Sequence, residues 1–273
     1  MIATIKAEWR KNRFRPAFLV SSGVIAAITV MAYGISWYQA LHPAASDRGL
    51  VNIATLYPDQ FVNFVMGAGF PLGAAIVIVV GALYAGSEFS WGTLKTLFTQ
   101  RPGRLSVWGG RTAVFTIWMG IMTLILFAAG AVDSIAVASF QGHAISWPAL
   151  VDITKGLGAI WLIFTVNGMI GIALGVLIKQ SAAALGAGLI YVLAVEIIAV
   201  RFIDTINNGA YKWIGDLFVN QNATALAQSF TSPAFGKTLP GTISVEQAVL
   251  VLAAYAIGLA VVAAGLLRLR DVT

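Results

Sequence analysis

The stretch TAVFTIWMGIMTLILFAAGAV, from Thr112 to Val132, contains no charged residue and lies between Arg111 and Asp133. It has roughly the 20 apolar residues that an α-helix needs to cross about 30 Å of hydrocarbon. Its apolar residues do not alternate with polar ones, which argues against a strand of a membrane β-barrel. The stretch therefore predicts a membrane-spanning helix.

The rest of the chain has the same character. Hydrophobic residues make up 59% of the 273 residues and charged residues only 10%, whereas a soluble domain carries about 25% charged residues. The apolar run near the N-terminus is longer than the roughly 7–15 residues of a signal-peptide core, so we expect it to be retained. Because lipid cannot bond open backbone groups, we predict an all-α integral membrane protein. A single transmembrane domain is expected over 1–273, with spans at about 16–41, 61–86, 112–138, 156–178, 181–201 and 247–267.

Basic residues set the predicted orientation. The net charge is +6, but the basic residues lie beside apolar runs, which favours membrane topology over nucleic-acid binding. If the N-terminus is inside the cell, twelve of the 17 lysine and arginine residues fall in inside segments. Cytoplasmic loops are enriched in these residues. We therefore predict a multi-pass protein of the cell inner (plasma) membrane with both termini in the cytoplasm, and no nucleic acid among its partners.

The chain offers few residues for catalysis or metal binding. It has no cysteine, which excludes disulfides and thiolate chemistry. Its two histidines, His42 and His143, are far apart and predicted outside, and no Gly-x-Ser-x-Gly motif or cluster of acidic residues and histidines occurs. The nearest match to a phosphate loop, Gly-Lys-Thr at 236–238, has Thr231 where the first glycine should stand. We predict no nucleotide-binding domain, no catalytic residue, no metal site and no directly bound cofactor.

The N-terminal segment has an amphipathic pattern. Ile2, Ile5 and Trp9 fall at i, i+3 and i+7, and basic residues such as Arg10 occupy other faces. This spacing predicts a helix lying along the inner membrane interface. The pattern alone does not separate a helix that packs on a partner from a plain basic anchor.

A second amphipathic pattern follows the second predicted span. Trp91, Leu94 and Phe98 lie at i, i+3 and i+7, with Lys95 on a polar face and a basic turn, Arg-Pro-Gly-Arg, at 101–104. A short helix of this kind at the cytoplasmic surface can dock in a partner's groove. The alternative is a helix that only rests on the lipid headgroups.

Three strings resemble the permease subunits of type-two ABC exporters: SEFSWGTLKTLFTQRPGRLSVWGGR at 87–111, AEWRKNRFRP at 7–16 and LLRLRD at 266–271. The family shows an acidic residue, then Gly-Thr-Leu-basic, then a proline and an arginine before the third span. The resemblance covers the whole chain, although its motifs are residue preferences. The matching residues in the cytoplasmic segment are Glu88, Gly92, Thr93, Leu94, Lys95, Pro102 and Arg104.

The resemblance implies a transport subunit that is not itself an enzyme. Such permeases pair as homodimers or heterodimers in the bilayer, and each half docks a separate ABC ATPase subunit that binds ATP and Mg²⁺. The implied docking elements are an N-terminal interfacial helix and a coupling helix between spans 2 and 3. The residues expected in the former are Ile5, Trp9 and Arg10, and those in the latter are Glu88, Trp91, Gly92, Thr93, Leu94, Lys95, Phe98, Arg101 and Arg104.

Two acidic residues fall within predicted spans. A charge near the bilayer centre costs about 2.5–3.5 kcal/mol on insertion scales, so such residues tend to be functional or paired. Glu196 lies beyond the middle of the fifth span, and Asp133 lies near the outer end of the third. Either could line a substrate path or gate. Alternatively, Glu196 pairs with a neighbour and Asp133 reaches the outer interface.

Other residues predict local features of the spans and loops. Pro71 should kink the second span or break it near its outer end. Gly171 and Gly175 form a Gly-x-x-x-Gly pair, which allows close helix packing within the chain or at a dimer seam. Apolar clusters in the long segment 204–246 predict one or two short external helices between spans 5 and 6.

Two other functions compete with the permease. A secondary, ion-coupled transporter often has inverted repeats and midplane charges, whereas this sequence shows no repeat and one plausible charge. An intramembrane enzyme would need a catalytic cluster, which the sequence lacks. Both remain alternatives, in that order.

Overall fold

Within the residues that it describes, the computed structural model is entirely helical in its regular elements, which confirms the predicted all-α class. It describes residues 2–43, 52–90, 103–206, 210–230 and 243–269.

Six helices within the described residues are long and apolar enough to cross a membrane. This number agrees with the prediction and makes the chain a multi-pass membrane protein. We number these helices spans 1 to 6: Pro16–Leu41, Phe70–Ser90, Arg104–Phe140, Leu150–Ile178, Ser181–Thr205 and Val245–Leu269.

Shorter elements accompany the spans. An N-terminal helix, Ile2–Asn12, precedes span 1, and two 3₁₀ turns lie at Ile53–Leu56 and Pro58–Gln60. Two short helices, Lys212–Gly215 and Val219–Gln228, lie between spans 5 and 6. We call Val219–Gln228 the loop helix. Short helices are thus present where they were predicted, and their external position stays a prediction.

Spans 2 and 4 form the centre of the bundle and touch backbone to backbone. A Cβ added at Gly81 would stand 2.1 Å from the carbonyl oxygen of Gly168, and one at Gly171 would stand 2.2 Å from the carbonyl oxygen of Ile78. Only glycine permits such an approach. We call Gly81, Gly168, Gly171 and Gly175 the glycine seam. The pair Gly171 and Gly175 thus packs within the chain.

The other spans surround this pair. Span 1 packs on span 3, span 5 on span 2, and span 6 on span 4. Span 6 is the least buried of the six, and its exposed Leu250, Ile257 and Val261 present an apolar surface. Such a surface fits a lipid environment, because lipid does not penalise exposed aliphatic side chains.

One π-helical turn precedes span 2 and another divides span 5. The turn Val65–Gly69 joins Phe61–Phe64 to span 2, and Pro71 follows directly. Proline donates no backbone hydrogen bond and crowds the carbonyl four residues earlier, so a regular α-helical turn is disfavoured there. The change of helix type thus lies two residues before Pro71, near the predicted break, and a kink at Pro71 itself stays a prediction. The second π turn, Tyr191–Val195, divides span 5 and contains no proline.

Spans 4 and 5 are joined by a tight hairpin. Lys179 adopts a left-handed conformation with φ of 59°, and its N–H donates to the Gly175 carbonyl at 3.0 Å, closing span 4. A Cβ at Gly86 would lie 2.7 Å from the Cα of Ser181. The end of span 2 therefore touches the start of span 5.

Candidate functional sites at the two ends of the bundle

The N-terminal helix packs on span 3 along a stripe that differs from the predicted one. The most buried residues are Asn12, which is 0% exposed, and Glu8, which is 5% exposed. Ile5 and Trp9 belong to the same stripe and are partly buried. Ile2, predicted on the same face, is 73% exposed. The stripe follows i, i+3, i+4 and i+7 spacing, but half of it is polar. The helix exists as predicted, and its position at a membrane interface stays a prediction.

Aromatic stacking fixes the N-terminal helix. The ring of Trp118 in span 3 lies between Trp9, at 5.4 Å between ring centroids, and Phe18 of span 1, at 5.0 Å. Both pairs are stacked, a geometry worth about 0.5–1.5 kcal/mol per pair beyond area burial. Arg10, by contrast, is exposed.

Tyr84 and Arg111 join spans 2 and 3 reciprocally. Nη2 of Arg111 donates to the Tyr84 carbonyl at 3.3 Å, and the Tyr84 hydroxyl donates to the Arg111 carbonyl at 3.3 Å. The guanidinium groups of Arg111 and Arg15 lie 5.1 and 5.5 Å from the centroid of the Tyr84 ring. Cation–π attraction thus adds to the hydrogen bonds.

The N-terminal helix bonds to this junction. The Asn12 side-chain nitrogen lies 3.5 Å from the Tyr84 hydroxyl, and it also donates to the carbonyl of Glu8 at 2.8 Å and to the Glu8 carboxylate at 3.1 Å. We call Glu8, Asn12, Tyr84 and Arg111 the Tyr84 cluster. Sequence analysis did not identify any of the four as a site residue. The pair Glu8 and Asn12, four residues apart, was the available signal.

The Tyr84 cluster borders the predicted coupling helix. Tyr84 lies near the end of span 2, and Arg111 lies near the start of span 3, on either side of that segment. Glu88 falls within the last turn of span 2, and Arg104 begins span 3; their side chains are outside the described part of the chain. The remaining predicted coupling residues also lie outside it: Trp91, Gly92, Thr93, Leu94, Lys95, Phe98 and Arg101. Their role stays a prediction.

Glu196 forms a second polar site, far along span 5 from the hairpin. It directly follows the π turn Tyr191–Val195 and is only 1% exposed. Its Oε1 accepts a hydrogen bond from the backbone N–H of Asn220, and the N–H of Gln221 is also directed at the carboxylate. These N–H groups belong to the first turn of the loop helix. The paired alternative for Glu196 is therefore what the structure contains.

Asp133 lies in a different environment. It is half-buried and faces Tyr33 of span 1, a side chain that is 2% exposed. Neither Asp133 Oδ2 nor the Tyr33 hydroxyl has a hydrogen-bond partner among the described residues. Asp133 belongs to span 3 and Glu196 to span 5, and each has different neighbours within the described residues. A role for either residue in a substrate path or gate stays a prediction.

Comparison with known proteins assigns no family. Within the described ranges, no group of three or more acidic residues and histidines is placed to hold a metal ion. No protein-family model matches the chain, and no curated protein matches it significantly. Function is therefore inferred from the two polar sites and from the sequence resemblance.

Proposed function

We propose that the chain is the membrane permease subunit of a type-two ABC exporter, paired with a second permease subunit and driven by separate ATPase subunits. Support comes from the resemblance at 7–16, 87–111 and 266–271 and from the six spans. The positive-inside bias supports an inner-membrane location with both termini in the cytoplasm.

The observation that carries the proposal is the Tyr84 cluster. A permease driven from the cytoplasm needs its docking elements held in a fixed relation to the spans. The cluster ties the N-terminal helix to spans 2 and 3 at the two borders of segment 91–102. Buried hydrogen-bonded networks rigidify a structure. Lys6 and Arg10 on the outer face of the N-terminal helix, and Arg13 directly after it, are exposed. They offer a basic surface to an acidic partner or to anionic lipid.

Contacts between the spans connect the Tyr84 cluster to the rest of the bundle. A displacement of the segment between spans 2 and 3 would act on Tyr84 and Arg111 together, because the two are bonded reciprocally. Span 2 would carry span 4 with it through the glycine seam. Span 2 would also act on span 5, because Gly86 of span 2 touches Ser181 of span 5. ATP and Mg²⁺ would be bound by the partner ATPase.

The ion-coupled transporter remains the alternative. Its main sequence candidate for an ion site was Glu196, and this carboxylate bonds to the backbone of the loop helix.

The proposal is tested by co-purification of an ATPase subunit with the tagged chain from its native membrane. Leu94→Asp places a charge in the predicted apolar seat and should abolish co-purification, since buried apolar anchors dominate binding energy. Lys95→Glu should weaken it most at low salt, where exposed charges are least screened. Lys155→Glu, an exposed charge reversal predicted on the opposite membrane face, is the matched control. Absence of an ATPase from the wild-type preparation would reject the proposal. Normal recovery and normal transport with both Leu94→Asp and Lys95→Glu would reject the coupling role of the segment and leave it as a surface helix on the lipid headgroups.

A further inference from the structure

The loop helix is buried although it lies in a connection between spans. Its inward stripe follows helical spacing, and each member is at most 3% exposed. The stripe consists of Val219, Asn222, Ala223, Leu226 and Ala227. The helix packs on spans 4 and 6 and on the π turn Val65–Gly69. A connection seated this deeply has to satisfy its backbone groups inside the protein.

The start of the loop helix has no cap of its own. Phe218 occupies the N-cap position and has no side-chain oxygen to accept from the first turn. The Asn222 amide donates to the carbonyls of Asp216 and Phe218, both at 2.8 Å, so it fixes the entering chain and leaves the first-turn N–H groups open. Glu196, from span 5, accepts from Asn220. An anion at a helix N-terminus is favoured both by these donors and by the helix dipole.

We propose that Glu196 and the π turn before it form a releasable latch for the loop helix. The carboxylate holds the helix N-terminus in its seat, and a change in the π turn withdraws the carboxylate and frees the helix.

The π turn explains why the latch can open. A π turn contains one residue more than the α-helical turn it replaces, and such turns often occur at functional sites. Conversion of Tyr191–Val195 to α-helix would rotate the following residues by about 100° around the helix axis, the angle between successive residues. That rotation would carry Glu196 away from Asn220. The other π turn, Val65–Gly69, also contacts the loop helix, so adjustable turns lie on two of its neighbours.

The absence of native cysteine allows a direct test with single-cysteine reporters. Ala223→Cys places a thiol in the buried stripe, since Ala223 is 1% exposed. Ser244→Cys places one at an exposed site before span 6. Each is combined with Glu196→Ala, with Glu196→Gln, or with the control Glu246→Gln, which alters an exposed glutamate in the first turn of span 6. The purified chain is labelled with a polar maleimide in lipid nanodiscs, where both membrane faces are accessible.

We expect the Ala223→Cys reporter to label slowly in the parent and at least tenfold faster with Glu196→Ala. Glu196→Gln retains an acceptor oxygen without the charge, so its rate should be intermediate. Glu246→Gln should leave the rate unchanged, and Ser244→Cys should label at one rate throughout. Equal Ala223→Cys rates in the parent and in Glu196→Ala would overturn the latch. If Glu196→Ala does not accumulate, equal rates in the parent and Glu196→Gln overturn it instead.

Release in the wild type is tested by hydrogen exchange. Amides of 219–228 should exchange at least tenfold faster than those of 168–175 in the glycine seam, and Glu196→Gln should accelerate only the former. If the amides of 219–228 exchange as slowly as those of the glycine seam, Glu196 caps the loop helix permanently, and the proposed release is rejected. No ATPase takes part in either measurement, so failure of the latch and failure of the proposed transport function are distinguishable.

Discussion

Replacement of Gly171 by alanine should wedge spans 2 and 4 apart. The added Cβ would stand 2.2 Å from the carbonyl oxygen of Ile78 and 2.8 Å from the backbone nitrogen of Ala82. Both atoms belong to the main chain of span 2, so neither can turn away as the end of a side chain would. A carbon and a carbonyl oxygen in close contact lie about 3.3–3.6 Å apart. The helices must therefore separate by roughly 1 Å.

The expected cost follows from this separation. Overpacking of a core costs about 1–3 kcal/mol. A radial gap of about 0.5–1 Å also forfeits a quarter to a half of the contact energy along the surfaces that separate. Because the gap would extend to Gly81 and Gly168, we expect a loss of stability at the upper end of this range, about 3 kcal/mol. At about 2–4 °C per kcal/mol, the Tm of the purified protein should fall by about 6–12 °C.

The assay is thermal unfolding in detergent, and span 6 supplies the matched control. A Cβ at Gly258 would meet no atom within 4 Å, and alanine is favoured over glycine inside a helix by about 1 kcal/mol. Gly258→Ala should therefore leave the Tm unchanged or raise it. The double variant with Gly81→Ala should lose less than the sum of the single losses, because one separation relieves both clashes. Equal Tm values for Gly171→Ala and Gly258→Ala would refute the reasoning.

Three further outcomes are expected. Tyr84→Phe keeps the ring contacts but removes the hydroxyl, so the protein should lose about 1–2 kcal/mol of stability, measured as a lower Tm. The control Tyr38→Phe, at an exposed position, should leave the Tm unchanged. Equal Tm values for the two variants would mean that the Tyr84 hydroxyl does not stabilise the cluster. Trp9→Ala removes the stack on Trp118, so the amides of residues 2–12 should exchange hydrogen faster. The control Arg10→Ala, at an exposed position, should leave the exchange rate unchanged. An unchanged rate in Trp9→Ala would mean that the stack of Trp9 on Trp118 does not hold this helix. A reporter fused after Thr273 should be active only if it functions in the cytoplasm, and an external signal would overturn the predicted topology.

Hydropathy was sufficient for the helix class and the number of spans, because a spanning helix must be long, apolar and internally bonded. Pro71 drew attention to the region of the first π turn, Val65–Gly69, which ends two residues before it. The second π turn, at Tyr191–Val195, contains neither proline nor glycine. Its sequence therefore looks like any other apolar helix.

The polar sites were predicted only in part, for identifiable reasons. The cost of burying Glu196 indicated its importance, but its partner is the backbone of Asn220, and a backbone group has no sequence signature. The predicted packing face of the N-terminal helix contained Ile2, Ile5 and Trp9 and left out Glu8 and Asn12. Asn12 is buried against Tyr84, a residue 72 positions away in the sequence, and it bonds in turn to Glu8. Periodicity within one helix does not show which neighbours are polar.

The glycine seam constrains the order in which the protein can assemble during synthesis. Gly81 and Gly171 lie about 90 residues apart, which a ribosome covers in on the order of 5–20 s. Through that interval span 2 has no partner for its glycine face. Single spans are stable in lipid before they associate. Span 2 therefore remains stable in the bilayer until span 4 is inserted. Span 3 has to enter the bilayer within the same interval, which makes closure of the seam a late event that commits four spans to one arrangement.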